Sequence, residues 1–169
     1  MKNVVFDLKD KISVEQAIKF VERRFLETEK NFYTQQELNS AHKAMKDFDI
    51  FDCNQLEKLI KLNKVKVFVG LLDGKICGVC GLEIQSGKIL FLTTSREKNG
   101  VAILKEMVEK MVEERSQEPD NRLNIMAFAG QEKELASVGF RKLYDTVLFY
   151  HGVKFVPMKY SYTQFDIEK

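Results

Sequence analysis

Tryptophan is absent from this chain of 169 residues, which holds only three cysteines, two histidines and two prolines. Cys53, Cys77 and Cys80 are odd in number, and no histidine stands near them in sequence. Cys77 and Cys80 form a C-x-x-C, but it lies inside a strand-like run where residues three apart should point to opposite faces. Zinc usually takes a second such pair, and a redox pair usually opens a helix. The three therefore read as small buried hydrophobes suited to a reducing cytoplasm, and no metal is expected.

Other absences narrow the function classes. No window approaches the run of about 18 apolar residues that a membrane span needs. The start, Met-Lys-Asn-Val-Val-Phe-Asp, lacks the pattern of a secretory signal, so a cytoplasmic location is expected. Charge of one sign is not in excess: 27 basic residues face 25 acidic ones. That balance argues against a dedicated nucleic-acid or membrane-surface binder. Mixed-charge stretches such as Phe20 to Phe25 read as solvated helix faces. Neither G-x-x-x-x-G-K-[ST] nor G-x-G-x-x-G occurs, which sets aside two common phosphate loops.

The length suits one domain spanning residues 1–169, and a hydrophobic fraction of 44% is ordinary for a globular protein. Val4 to Leu8 reads as a first strand. Capping patterns at Ser13-Val-Glu-Gln16 and Thr34-Gln-Gln-Glu37 each precede an apolar helical stripe, and Asp52 is placed to cap a third helix. From Val65 the period changes. Val65–Leu72 and Lys75–Ile84 flank Asp73-Gly74, a strong hairpin signal, and Gln85-Ser86-Gly87 turns into a strand from Lys88. A helix is expected from Gly100 to Glu114, a strand over Leu123–Ala127, and a short helix from Gln131 ending at Gly139. A hairpin of Arg141–Tyr150 with Val153–Tyr162 closes the chain, with Pro157 on an edge strand. The fold class is α/β (α+β): a mixed, mostly antiparallel sheet with one β-α-β unit and a helical N-terminal region.

That β-α-β unit carries the most information. The strand Ile89–Leu92 runs into a turn holding Arg96, Lys98, Asn99 and Gly100, then directly into a helix with Ile103, Leu104, Met107, Val108 and Met111 inward. The first N–H groups of a helix lack internal partners and carry its positive dipole end, so such a turn can receive a phosphate. The same composition also occurs in turns that bind nothing. The strands flanking the helix should lie parallel, and if they splay apart a cleft opens beside the turn.

This order of motifs resembles the GNAT superfamily of acyl-CoA-dependent N-acyltransferases over about residues 65 to 160. The resemblance rests on the Val67–Leu82 hairpin, on Glu97-Lys-Asn-Gly-Val-Ala102 as a pyrophosphate loop, and on the Gly139-Phe140 that ends the last short helix. It implies acetyl-CoA as co-substrate and a primary amine of a small molecule or peptide as acceptor. By the same resemblance, main-chain groups of Leu90, Phe91 and Leu92 would hold the pantetheine arm. Lys98, Asn99, Gly100, Val101 and Ala102 would hold the pyrophosphate, with Arg96 adding a charge-assisted bond. The sequence departs from the family at Glu97, where Gln or Arg is usual. It departs again at Leu135, where a tyrosine commonly protonates the leaving thiolate, and the frequent Asn before that helix is missing.

Glu83 is the candidate general base, although it equally suits the solvent face of a strand. Tyr144 is the candidate acid, against the alternative of a packing role. His42 and His151 stand alone and read as solvated. Phe25, Phe32, Tyr33, Phe149, Tyr150, Phe155 and Tyr160 could line an aromatic acceptor pocket or simply fill the core. An N-acetyltransferase, a non-catalytic acyl-CoA sensor and an interaction domain without coenzyme are the readings in contention. A homodimer through the closing hairpin is a further expectation.

Overall fold

A computed structural model describes residues 4–7, 11–48, 51–95 and 100–162, with side chains from residue 14 onward. Apolar residues at helical spacing build α1 (Lys11–Glu29), α2 (Gln35–Lys46) and α3 (Cys53–Lys61). Thr34 starts α2 as expected. Its hydroxyl accepts from the Glu37 N–H at 3.1 Å, and the Glu37 carboxylate accepts from the Thr34 N–H at 2.8 Å. Asp52 caps α3 by accepting from the N–H groups of Asn54 and Gln55. The pattern at Ser13 does not start α1, which already runs from Lys11. A serine's preference for a cap is weak against a turn that is helical before it.

The sheet is built from β1 (Val4–Asp7), β2 (Val65–Leu72), β3 (Lys75–Glu83), β4 (Lys88–Thr94), β5 (Arg122–Phe128), β6 (Arg141–Lys142), β7 (Leu148–Tyr150) and β8 (Val153–Ser161). Its order is β1-β2-β3-β4-β5-β8-β6, with β7 also on β8. Between β4 and β5 runs α4 (Gly100–Glu114), and α5 (Glu132–Ser137) follows β5. Among the described residues every pairing is antiparallel except β4 with β5, the strands of the β-α-β unit. Asp73 and Gly74 take φ values of 52° and 77°, the left-handed turn that a two-residue hairpin requires.

Two cores lie on opposite faces of the sheet. One holds Phe25, Met45, Leu56, Val67 and Phe91 under α1 to α3; the other holds Leu82, Leu92, Ile103, Met107 and Leu135 under α4 and α5. Cys77 and Cys80 both lie in the second core, which corrects the expectation that they face apart. The register slips between Gly70 and Leu71 so that Cys77 has no opposite residue, and the extra residue inverts the alternation. Burial pushes the Cys80 thiol up to about 12. Among the described residues no group of His, Cys, Asp and Glu could hold a metal ion, and no helix is long and apolar enough to cross a membrane.

The closing hairpin differs from its expected form. β6 pairs with Met158 and Lys159, and β7 with Val153 to Phe155, so Val156 and Pro157 face the whole interval 143–147. The surplus residues leave the ladder and split the outer strand. Pro157 lies on the internal strand β8, not on an edge, since β5 flanks the other side. Its carbonyl accepts from the Leu143 N–H at 2.9 Å, so its missing donor faces the interrupted side, where none is needed.

Arg115 follows α4 and is fully buried. Its guanidinium donates to the carbonyls of Ile84 (2.6 Å), Gln85 (3.1 Å) and Asp120 (2.9 Å), tying the β3–β4 turn to the loop before β5. Replacing it by methionine keeps much of the stem volume but orphans those acceptors. Arg115→Met should lower stability by about 3 kcal/mol. Urea unfolding should show this as a lower midpoint with an unchanged slope.

Candidate coenzyme and acyl-transfer site

The parallel ladder between β4 and β5 is short. It registers Lys88 with Asn124 and Ile89 with Ile125, and the Asn124 N–H bonds the Gly87 carbonyl at 2.9 Å. Beyond that point the strands diverge. The divergence begins at a bulge: Gly81 pairs with Phe91 and Leu82 with Ile89, leaving Leu90 as the extra residue. The Ser95 N–H bonds the Cys77 carbonyl on the β3 side at 2.8 Å. By strand alternation the main-chain groups of Leu92 and Thr94 therefore turn toward the split.

Side chains stitch that split. Gln131, buried at the start of the segment after β5, donates from Nε2 to the Leu92 carbonyl at 2.7 Å. Its Oε1 accepts from the Phe128 N–H at 3.1 Å. The Thr94 hydroxyl donates to Glu134 of α5 at 2.9 Å. From the opposite face Arg24 of α1 donates from Nε to the Thr94 carbonyl at 2.6 Å and from Nη1 to Glu27 at 2.6 Å. The sheet is open here as a backbone ladder, and the Gln131 amide and the Arg24 guanidinium bond the β4 carbonyls in its place.

At the mouth of the split, Gly100 begins α4. A Cβ there would stand 2.5 Å from the Ser95 carbonyl, so only glycine allows the helix to start this close to the end of β4. Val101 and Ala102 follow in the exposed first turn. Leu90, Phe91 and Leu92 thus lie on β4 and Gly100, Val101 and Ala102 in the first turn of α4. Arg96, Lys98 and Asn99 lie outside the described residues.

The two proposed proton-transfer groups do not meet there. Glu83 pairs with Lys88 at the closed end of the split, and its carboxylate accepts from the Ser86 hydroxyl at 2.6 Å. Tyr144 lies 60% exposed in the interval between β6 and β7, beyond β8 from β5. Leu135 is packed in the α4-side core. His42 is half-buried rather than solvated: its ring stacks on Phe25 at 6.5 Å, and Nε2 lies 3.9 Å from Glu22. His151 sits exposed in the β7–β8 turn. The aromatic set divides, with Phe25, Tyr33 and Phe155 in the core and Phe32, Phe149 and Tyr150 exposed. Tyr160 packs on Phe140 at 5.4 Å. The cation over Tyr33 is the protein's own, Lys154 Nζ at 4.8 Å from the ring centre.

The sequence reading missed Arg24, Glu29 and Gln131. Arg24 falls at helical spacing from Ala17 and Val21, a signal that it faces inward, although its charge suggested a solvated side. Glu29, fully buried at the end of α1, accepts from the Gly130 N–H at 2.9 and 3.0 Å and from the Thr28 hydroxyl at 2.8 Å. A side chain at Gly130 would strike both the Glu29 carboxylate and the Thr28 carbonyl, so this contact is built on glycine. No local pattern marks Gln131, because its role depends on two strands diverging elsewhere in the chain.

Among the described residues the sheet thus has one parallel pair, which splits at a bulge, with a glycine-started helix at the mouth. The sequence profile of the family described as acetyltransferase (GNAT) domain matches residues 29–162. The chain belongs to that family. Among solved structures it is similar to PaiA N-acetyltransferase from Thermoplasma acidophilum in complex with coenzyme A, at 17% identity and a TM-score of 0.66, covering 96% of this chain and 100% of that one. A GCN5-related N-acetyltransferase from Rhodopseudomonas palustris shares 13% identity at a TM-score of 0.64, covering 96% and 97%. A probable acetyltransferase from Staphylococcus epidermidis shares 13% at 0.61, covering 96% and 100%. These likenesses show a common fold. No curated protein matches the chain by sequence.

Burial raises the Glu29 carboxyl above its ordinary range, against the bonds from Gly130 and Thr28 and the charge of Lys154. The folded state then binds a proton more readily than the unfolded chain, so stability falls as pH rises from the ordinary carboxylate value through the raised one. Glu29→Gln keeps an acceptor for Gly130 and removes this titration. Urea unfolding across pH 4 to 8 should show a weaker fall with rising pH in the variant than in the natural chain.

Proposed function

We infer that this protein is an acetyl-CoA-dependent N-acetyltransferase acting on a primary amine of a small molecule or peptide. One observation carries the reading: beyond the bulge at Leu90, β4 presents the main-chain groups of Leu92 and Thr94 to a split that ends at the N-terminus of α4. Such an edge can bond a pantetheine arm as a strand would, and a helix N-terminus at its end suits a diphosphate. The family membership and the fold shared with a coenzyme A complex support the same ligand.

The transfer itself asks little of side chains. A neutral amine attacks the thioester carbon, a C–N bond forms, the C–S bond breaks, and the amine proton is lost while the thiolate gains one. Holding amine and thioester together supplies much of the rate. An N–H from the bulged strand would polarise the carbonyl. Glu83 and Tyr144 have no part in this reading, because neither reaches the split. The amine's proton then leaves to solvent.

Gln131 occupies the Leu92 carbonyl that an arm would use, so binding exchanges one amide donor for another. A second reading, an acyl-CoA-binding sensor without turnover, is favoured by one observation: Leu135 stands buried where an acid would be. Release of free thiol from acetyl-CoA over a panel of amines separates the two.

Acetyl-CoA should raise the unfolding temperature, since a ligand that binds only the folded state stabilises by mass action. Gly100→Val should abolish that rise by forcing α4 away from Ser95. Gln131→Ala should lower the ligand-free unfolding temperature yet enlarge the rise, because the competing amide is gone. No rise at millimolar coenzyme in the natural chain overturns both readings.

A further inference from the structure

A groove of about 810 Å³ runs beside α1, bounded across from it by the β2–β3 turn and the end of β4. Lys19, Arg23, Arg24 and Glu27 line it from one stripe of α1, facing Lys75 and Ser95. Four cations thus meet one carboxylate. That carboxylate is engaged: Glu27 lies 2.6 Å from Arg24 Nη1 and 4.0 Å from Arg23 Nε. Among the described residues, no carboxylate pairs with Lys19 or Lys75. A region with such an excess is favourable for an anion, and the low-dielectric wall formed by Phe20 and Ile76 strengthens its field.

A second observation points the same way. The hydroxyls of Thr93 and Ser95 are buried with no hydrogen-bond partner among the described residues, and Ser95 lines the groove. By alternation beyond the bulge, Phe91, Thr93 and Ser95 share the α1 face of β4. The two hydroxyls therefore mark a polar track from the groove toward the split at Leu90. Buried polar groups seldom go unused, and among the described residues these two have no partner.

The faces of the sheet assign the track to the acceptor. α4 lies on the opposite face from α1, so an arm seated at its N-terminus enters from there and leaves the α1 side for the incoming amine. We propose that this groove binds the negatively charged part of the acceptor, and that the acceptor is an amine bearing a carboxylate or a phosphate. The proposal rests on the acetyltransferase reading and narrows its substrate class. The stripe from Gln16 to Glu27 extends about 16 Å at the helical rise, long enough for an anionic tail several bonds from the amine. A polycationic amine is repelled by the same charges.

Titration calorimetry at low salt tests it without turnover. The probes are the tripeptide Glu-Gly-Glu, glucosamine 6-phosphate and the linear polyamine spermidine, against the natural chain and a Lys19→Glu, Lys75→Glu double variant. At least one anionic probe should bind the natural chain and spermidine should not. Reversing both charges should weaken binding of the anionic probe about tenfold, while the temperature rise given by acetyl-CoA stays as in the natural chain. High salt should erase most of the difference. The stronger of the two anionic probes identifies the carboxylate or the phosphate as the recognised group. Binding of spermidine as tight as that of either anion, no binding of either anion, or an unchanged affinity in the variant overturns the proposal. A missing acetyl-CoA response in the natural chain, with anion binding intact, sinks the acetyltransferase reading and leaves the groove an anion site.

Discussion

Everything at the centre of this molecule follows from one constraint: main-chain polar groups inside a protein must find partners. Where two neighbouring strands part, the groups along both inner edges lose them together. An unpaired buried amide or carbonyl costs about 1–3 kcal/mol, so a divergence of several residues is sustained only if other donors and acceptors arrive. Here two side chains supply them: Gln131 donates to the Leu92 carbonyl and Arg24 to the Thr94 carbonyl. The split is a polar site because the backbone makes it one.

α1 is the element that holds the divergence in place. Near its middle Arg24 grips the end of β4, and at its last residue Glu29 grips the turn after β5. A single rigid helix thereby fixes the two strands at a set distance, and its side chains fill the space between with Phe25 against Phe128 at 4.8 Å. Burying an arginine and a glutamate is unfavourable taken singly. Each is offset by hydrogen bonds to main chain that the parted strands leave available. The charges and the divergence are solutions to one another.

The parts of the fold written in local chemistry were legible in the sequence. Asp73-Gly74 dictated a left-handed turn, Thr34 and Glu37 a reciprocal cap, and the stripe from Ile103 to Met111 a helix on one face. The strand–helix unit around Gly100 was readable because glycine, helix start and preceding strand are adjacent in the chain. What could not be read depends on register. A single extra residue at Leu90 or Cys77 inverts every side chain after it, and nothing in the residues themselves announces the slip. Glu83 was misplaced for the same reason: which end of a hairpin lies at the open end of the sheet is set by where β5 pairs. Gln131 looked like an ordinary start of a short helix until the parted strands gave its amide two partners.

The interrupted outer strand has an effect of its own. Residues 141–150 are all exposed, and they include Leu143, Val147, Leu148 and Phe149. A straight ribbon of that composition would invite other polypeptides to add on, rung after rung, as in fibrils. The five-residue excursion opposite Val156 and Pro157 leaves only short, separated ladders on that border, so no continuous row of donors and acceptors exists to copy. Greasy as it is, this margin is a poor seed for stacking, and the gap falls opposite Pro157, which has no N–H to offer a neighbouring strand there.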